Sequence, residues 1–357
     1  MLSSFSKRLI RIFLYSIGII FFFWSCSKNQ PVLEALSNGT SSLDVGTKYA
    51  SQAACQNCHQ KIHSNWKESS HGNSYSNLRF QAALQKEPRV WCLNCHAPLH
   101  NLKQELVDLP KKYVVPKIAQ EGVNCAVCHV RNDKIYGKKE NLHLKEHAVF
   151  RDESLSETGI CNQCHQFSFP KTHDPTTIYS SVEMQSTGSE FASSHSFFIG
   201  KGCQSCHVAN LHRLGGATDK KFLRESVKIS SSVSKLDSAY QLKIQIEIPK
   251  IGHAFPTGDL FRAVSLRAFG ESGKQLVEHL IRKNVRVIDG FTISDTRIYP
   301  SFWKKNAIGN YNFRLKEKPK VCEIIYHYQF PIEEELQQKI SEEELKTVLY
   351  SGPCNQR

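Results

Sequence analysis

Cys55-Gln-Asn-Cys58-His59, Cys92-Leu-Asn-Cys95-His96, Cys125-Ala-Val-Cys128-His129, Cys161-Asn-Gln-Cys164-His165 and Cys203-Gln-Ser-Cys206-His207 are five copies of one pattern, Cys-x-x-Cys-His. Each copy reads as a c-type haem attachment site. Two thiols three positions apart lie on one turn and reach both vinyl groups along one haem edge. The residue that follows faces the iron, where its imidazole becomes the proximal ligand. The pattern thus assigns Cys55, Cys58, Cys92, Cys95, Cys125, Cys128, Cys161, Cys164, Cys203 and Cys206 to covalent haem binding. It assigns His59, His96, His129, His165 and His207 to iron. A lone Cys-x-x-Cys is also half a zinc site or a redox dithiol. Zinc would take the pairs two at a time and leave one of five unmatched, and it would not need a His after every pair.

Outward from this stretch, the motif cysteines are spaced by 37, 33, 36 and 42 residues, one haem per short segment. The intervals hold amphipathic patches such as Asn77–Lys86 and turn-rich pieces such as Asp174–Thr177. They leave little room for an ordinary core. Short helices and loops around five stacked haems are expected over residues 51–221, with porphyrin supplying much of the buried apolar surface. From residue 222 the texture changes. Ser226–Ser234, Tyr240–Ile248, Phe261–Phe269, Val285–Ile293 and Val321–Phe330 alternate apolar and polar residues and predict an antiparallel, sandwich-like β-domain over 222–357. Residues 332–350, with Glu-Glu-Glu-Leu twice, read as helical. The fold class is therefore α+β.

The N-terminus reads as a secretory leader over residues 1–25: a basic start, then an apolar run from Ile12 to Trp24. The run ends at Phe23-Trp24-Ser25-Cys26, a loose lipoprotein box with Cys26 as the lipidated residue. An uncleaved anchor is the alternative, though its apolar run is short for a full span. Either way the rest of the chain is expected on the periplasmic side of a bacterial membrane. Residues 26–50, rich in Ser, Asn and Gly, read as a flexible tether. Of 13 cysteines, ten sit in the motifs and one is Cys26. Cys322 and Cys354 remain, either as a disulfide in an oxidising compartment or as two thiols.

The 357 residues carry a formal charge of +13. Five haems would bring about ten propionate charges, so the basic excess matches propionates or an acidic redox partner. No glycine-rich phosphate loop or basic-aromatic repeat points to nucleic acid.

Beyond the five motif copies, further segments resemble the multihaem cytochromes c related to the cytochrome c-554 and hydroxylamine-oxidoreductase group, over roughly residues 48–330. Trp66-Lys-Glu-Ser69-Ser-His71, following the first motif, is similar to that group's first haem segment, in which the later His is an axial ligand. Cys92-Leu-Asn-Cys95-His96-Ala-Pro98 and Gly122-Val-Asn-Cys125 are similar to group segments as well. His212-Arg-Leu-Gly215-Gly216 resembles a distal-ligand element. Gly252-His253-Ala-Phe-Pro256-Thr-Gly258, with Asp259 and Arg262, resembles the β-domain signature of some members. No Cys-x-x-Cys-Lys site and no clear tyrosine crosslink signature is present. The resemblance implies periplasmic electron transfer and does not fix a substrate.

Sixteen histidines leave eleven for five sixth positions, and Met184 is the one methionine outside the leader. Scarce Met predicts bis-His ligation and low potentials. The expected distal set is His71, His147, His195, His212 and His253. The resemblance supplies His71, His212 and His253, and a spacing seen in relatives supplies His147. His195 lies eight residues before Cys203, and His100 and His173 are its rivals. His63, His143, His279 and His327 are expected to be structural, and Trp66 and Trp91 to pack on porphyrin faces. The leading expectation is a membrane-anchored electron carrier exchanging electrons with redox proteins. The alternative is an oxidoreductase acting on a small nitrogen or sulfur species at one five-coordinate haem. The β-domain either docks a partner or shields the haems.

Overall fold

The computed structural model describes residues 43–102, 108–138, 142–143, 145–170, 179–208, 212–286, 291–331 and 334–355. The leader, Cys26 and His173 lie outside the described residues. Among the described residues no helix is long and apolar enough to cross a membrane.

The motif-bearing part runs through short helices, Ala53–Gln56, Gln60–Lys67, Leu78–Lys86, Val90–His96, Cys125–His129, Thr158–His165, Thr187–Ala192, His195–Phe198, Gln204–His207 and Lys220–Glu225. Leu78–Lys86 bears out the amphipathic patch. Asn77 caps it by accepting from the amides of Arg79 and Phe80 at 3.0 and 3.3 Å. The helix buries Phe80 and Leu84 against Leu93, Ala97, Val115 and Ala119, a small core of its own. The segment is not only helix and loop. Strands β1 (Val130–Arg131), β2 (Lys134–Gly137), β3 (Leu142–His143) and β4 (Ala148–Arg151) form a sheet in the order β1-β2-β4-β3. Strands β5 (Gln166–Pro170) and β6 (Tyr179–Ser186) pair antiparallel. The β1–β2 turn is Asn132-Asp133, both at positive φ (49° and 57°). This is the two-residue turn that matches strand twist, and Asn and Asp tolerate it best. The end of the expected tether is packed as well: Val45 is buried with Ala126 and Val130.

The β-domain contains β7 (Lys228–Lys235), β8 (Tyr240–Ile248), β9 (Ala263–Phe269), β10 (Gln275–Ile281), β11 (Lys283–Arg286), β12 (Phe291–Asp295), β13 (Ala307–Leu315), β14 (Val321–His327) and β15 (Lys346–Pro353). One sheet has the order β13-β8-β7 and the other β10-β9-β14-β15, all antiparallel. Period-2 alternation sends Leu242, Ile244, Ile246 and Ile248 of β8 inward and turns Lys243 and Gln245 outward. They pack on Val264, Leu266 and Ala268 of β9 and Ile324 and Tyr326 of β14, which closes a two-sheet core. Each such aliphatic side chain contributes about 1.5–3 kcal/mol by leaving water.

Two expectations need correction here. The run Val285–Ile293 is not one strand, because Val285 pairs with Thr292 across the β11–β12 hairpin. The C-terminal helical segment is short, Glu334–Lys339 and Glu342–Leu345. From Lys346 the chain becomes β15, paired with β14, because Thr347, Val348 and Tyr350 find partners there in Tyr326, Ile325 and Ile324. Cys322 and Cys354 form a disulfide across this pair, both buried.

Candidate haem-binding site

Each Cys-x-x-Cys-His copy occupies about one helical turn, so its two thiols share a face and its imidazole follows one residue on. In the first and fifth copies the turn closes through His59 N–H to Cys55 O and His207 N–H to Cys203 O, both 3.0 Å. Asn124 starts the third by accepting from the amides of Ala126 and Val127. Gly122 sits at φ +70°, and a Cβ there would come within 2.6 Å of His71 O. Its neighbour Val123 donates to that same carbonyl at 3.0 Å. The chain before the third motif is thereby held against His71.

The imidazoles fall into pairs. The His59 and His147 ring centroids are 6.2 Å apart, those of His165 and His71 6.1 Å, of His129 and His212 5.9 Å, and of His207 and His253 6.3 Å. Two imidazoles on one metal, at about 2.0–2.1 Å per bond with ring centres roughly 1.2 Å further back, would stand about 6.4 Å apart. Four motif histidines therefore face a partner at the separation of two ligands on one ion. In each pair the partner is one of the expected distal histidines.

The second nitrogens fit the same use. Nδ1 of His129 donates to Tyr136 O (2.8 Å), of His96 to Ser74 O (3.0 Å), of His207 to Gly215 O (2.5 Å) and of His253 to Ala254 O (3.0 Å). Such bonds fix the tautomer and leave Nε2 for a metal. At His165 the bond runs the other way, the Gln185 side-chain amide donating to Nδ1 at 3.0 Å. Burial, aided by neighbouring imidazoles, pushes His71 down to about 4 and His165 to about 3, so both rings are neutral at ordinary pH. His212 holds a left-handed backbone (φ 61°), sparsely populated for a residue with a Cβ.

The second motif differs. The His96 ring stacks on Phe80 at 3.8 Å, and among the described residues no imidazole is paired with it. His195 makes no ring contact with His96 among the described residues. Its Nδ1 faces Phe302 O at 3.4 Å and its ring lies against Phe198, because its backbone is tied to Ser301 of the β-domain. His100 is buried, with Nε2 2.8 Å from Asn94 Oδ1 and Nδ1 accepting from Leu102 N. Of the histidines expected to be structural, His63 packs on Trp66, His279 on Tyr311 and Phe313, and His327 Nε2 lies 2.8 Å from Ser265 Oγ. Trp66 Nε1 donates to Val123 O, and Trp91 meets Phe167 edge-on.

The motifs also touch one another through their thiols. Cys55 is within hydrogen-bonding reach of Cys125, Cys95 of Cys164 and Cys161 of Cys203, while Cys128 feels Cys164. None of these is a disulfide. Among the described residues no three His, Cys, Asp or Glu side chains gather as a metal cluster.

Sequence reasoning missed the clamp on the His253 loop. Glu190, 3% exposed, accepts from Ser186 Oγ (2.7 Å), Thr257 Oγ1 (2.7 Å), Ala254 N (3.2 Å) and Arg297 Nη1 (2.6 Å). Arg297, 6% exposed, also pairs with Asp295. Burial alone would raise Glu190, but Arg297 and the hydroxyl donors outweigh it and hold the carboxyl below its usual range.

Residues 54–130, which span the first three motifs, match the family model for cytochrome c554 and c-prime. No curated protein matches the chain. Its fold resembles that of a penta-heme cytochrome c552 from Thermochromatium tepidum, at 18% identity and TM-score 0.62, over 84% of this chain and 97% of that one. Repeated haem-attachment turns, imidazoles held at ligand spacing, the family match over residues 54–130 and the shared fold lead to one conclusion: the chain resembles the multihaem cytochromes c.

Proposed function

We propose that the chain carries five covalent haems and passes electrons between redox proteins on the periplasmic side of a membrane, tethered there through Cys26. Haem c supplies a one-electron centre at each motif. The observation that carries this reading is the set of four imidazole pairs: His59 with His147, His165 with His71, His129 with His212 and His207 with His253. Each such pair would hold one haem iron and leave it no place for a substrate, which suits electron transfer over chemistry at iron. His253 is supplied by the β-domain, so that domain completes a site begun by the fifth motif.

The interactions between motif thiols support one order of neighbouring centres. The first motif adjoins the third, the third adjoins the fourth, and the fourth adjoins both the second and the fifth. The fourth is thus the branch point, and the first, second and fifth are ends. Intact mass after acid-acetone extraction tests the count: five haems are expected to remain, and four or fewer would remove a motif from the reading.

A second reading has one observation in its favour, His96 without a paired imidazole among the described residues. An open sixth position there would let the chain act on a small nitrogen or sulfur species. In this case the reduced protein binds one equivalent of carbon monoxide per chain. No binding would leave the carrier reading alone.

A further inference from the structure

Beside the fifth motif the surface is aromatic. Phe197, Phe198 and Ile199 are 45, 55 and 52% exposed, and Trp303 is 80% exposed. Phe198 packs on Phe302 at 4.7 Å and lies 6.1 Å from Trp303, and Phe302 meets Trp303 edge-on at 5.0 Å. Single exposed apolar residues are ordinary, but a contiguous patch of this kind marks an interaction site. The patch is also built, not loose. His195 N–H donates to Ser301 O at 3.0 Å, joining the helix His195–Phe198 to the β-domain loop that carries Phe302 and Trp303. Gly200 N–H to Phe197 O and Lys201 N–H to Ser196 O fold the next residues into a tight turn that leads into Cys203.

The patch borders both halves of the fifth site. Cys206 is exposed. Ser196 Cβ would lie 3.3 Å from a Cβ placed on Gly252, the residue before His253. Its rim is basic: Lys201, Lys304 and Lys305 are exposed, and neither 191–206 nor 299–306 contains an Asp or Glu. An aromatic centre ringed by one sign of charge is the composition of a transient protein interface, with rings as anchors and lysines steering the encounter.

We propose that the surface of Phe197, Phe198, Ile199, Phe302 and Trp303, rimmed by Lys201, Lys304 and Lys305, is the docking face for an acidic redox protein that exchanges electrons at the fifth motif. This deepens the carrier reading and rests on it. The step balances as one electron lost by the reduced centre of the partner and one gained by a ferric centre of the chain, with no bond or proton moved. The position fits the contact order, because the fifth motif is an end of the chain of centres.

The test uses the full holoprotein in stopped flow, with reduced flavodoxin as the acidic probe and reduced methyl viologen as a small cationic control. Trp303→Ala is expected to lower the second-order rate with flavodoxin about tenfold at low salt, one hot-spot side chain's worth. Lys304→Gln with Lys305→Gln is expected to lower it several-fold and flatten its dependence on ionic strength. Lys243→Gln, on the outward face of β8, is expected to leave it unchanged. Viologen rates are expected to be equal throughout. Four results would overturn the docking face: an unchanged flavodoxin rate in Trp303→Ala, an equal loss in Lys243→Gln, an altered visible haem spectrum in Trp303→Ala, or Trp303-dependent binding to phosphatidylserine vesicles with flavodoxin rates intact. Failure of viologen to reduce the wild-type protein would instead sink the carrier reading beneath it.

Discussion

Replacing Glu190 tests how the β-domain is joined to the fifth haem site. The carboxylate is buried, receives four hydrogen bonds and fixes the backbone on both sides of Phe255, between Ala254 and Thr257. Glu190→Ala removes one member of a buried ion pair, which costs about 3–5 kcal/mol. Arg297 keeps Asp295, so the lower end applies, and about 3 kcal/mol is expected. Glu190→Gln retains an acceptor and is expected to cost about 1–2 kcal/mol. Urea unfolding of the holoprotein, followed by far-ultraviolet circular dichroism, gives these values. The visible spectrum of Glu190→Ala should also show one haem losing low-spin character as His253 becomes mobile. The pH dependence follows in sign. A carboxyl held below its unfolded value of 4.5 contributes stability that is fully present above pH 4.5 and is lost as pH falls below it. Wild-type protein should therefore loosen in acid more steeply than Glu190→Gln. A Glu190→Ala protein within 1 kcal/mol of wild type and with an unaltered spectrum would refute the clamp.

Two further outcomes are expected. Removing the disulfide by Cys322→Ala with Cys354→Ala opens a loop closed over 32 residues, which costs about 3–4 kcal/mol on the chain-entropy account; thermal unfolding of the double variant should show a clear drop in Tm, and an equal Tm would mean that β14 and β15 hold without it. Cys26→Ser should release the protein from membranes or block its processing, and unchanged retention would favour an uncleaved anchor.

The chemistry of this chain was more legible in its sequence than its fold. Cys-x-x-Cys-His is a local motif, so its ten thiols and five imidazoles are read from adjacent residues. The proposed distal histidines come from far along the chain, and spacing and resemblance named His71, His147, His212 and His253 as candidates. For His195, proximity to Cys203 says nothing of its tie to Ser301 and Phe302, more than a hundred residues on. In the β-domain, β8 was legible to the residue because Leu242, Ile244, Ile246 and Ile248 alternate cleanly with Lys243, Gln245 and Glu247. Strand β13 was not, since Gly309, Asn310 and Asn312 interrupt its apolar positions and its pairing with β8 defines it. Strand β10 lies at a sheet edge and carries Glu278 and His279 in its middle. The Asn132-Asp133 turn was a local signal passed over. Glu190 and Arg297 are 107 residues apart and carry no motif, so only the fold reveals their pairing.

The account stands most directly on low-temperature electron paramagnetic resonance of the oxidised holoprotein, integrated against its haem content. At least four low-spin ferric signals of bis-imidazole type are predicted, one for each imidazole pair. Fewer than four low-spin centres would contradict the imidazole pairs and the carrier reading built on them.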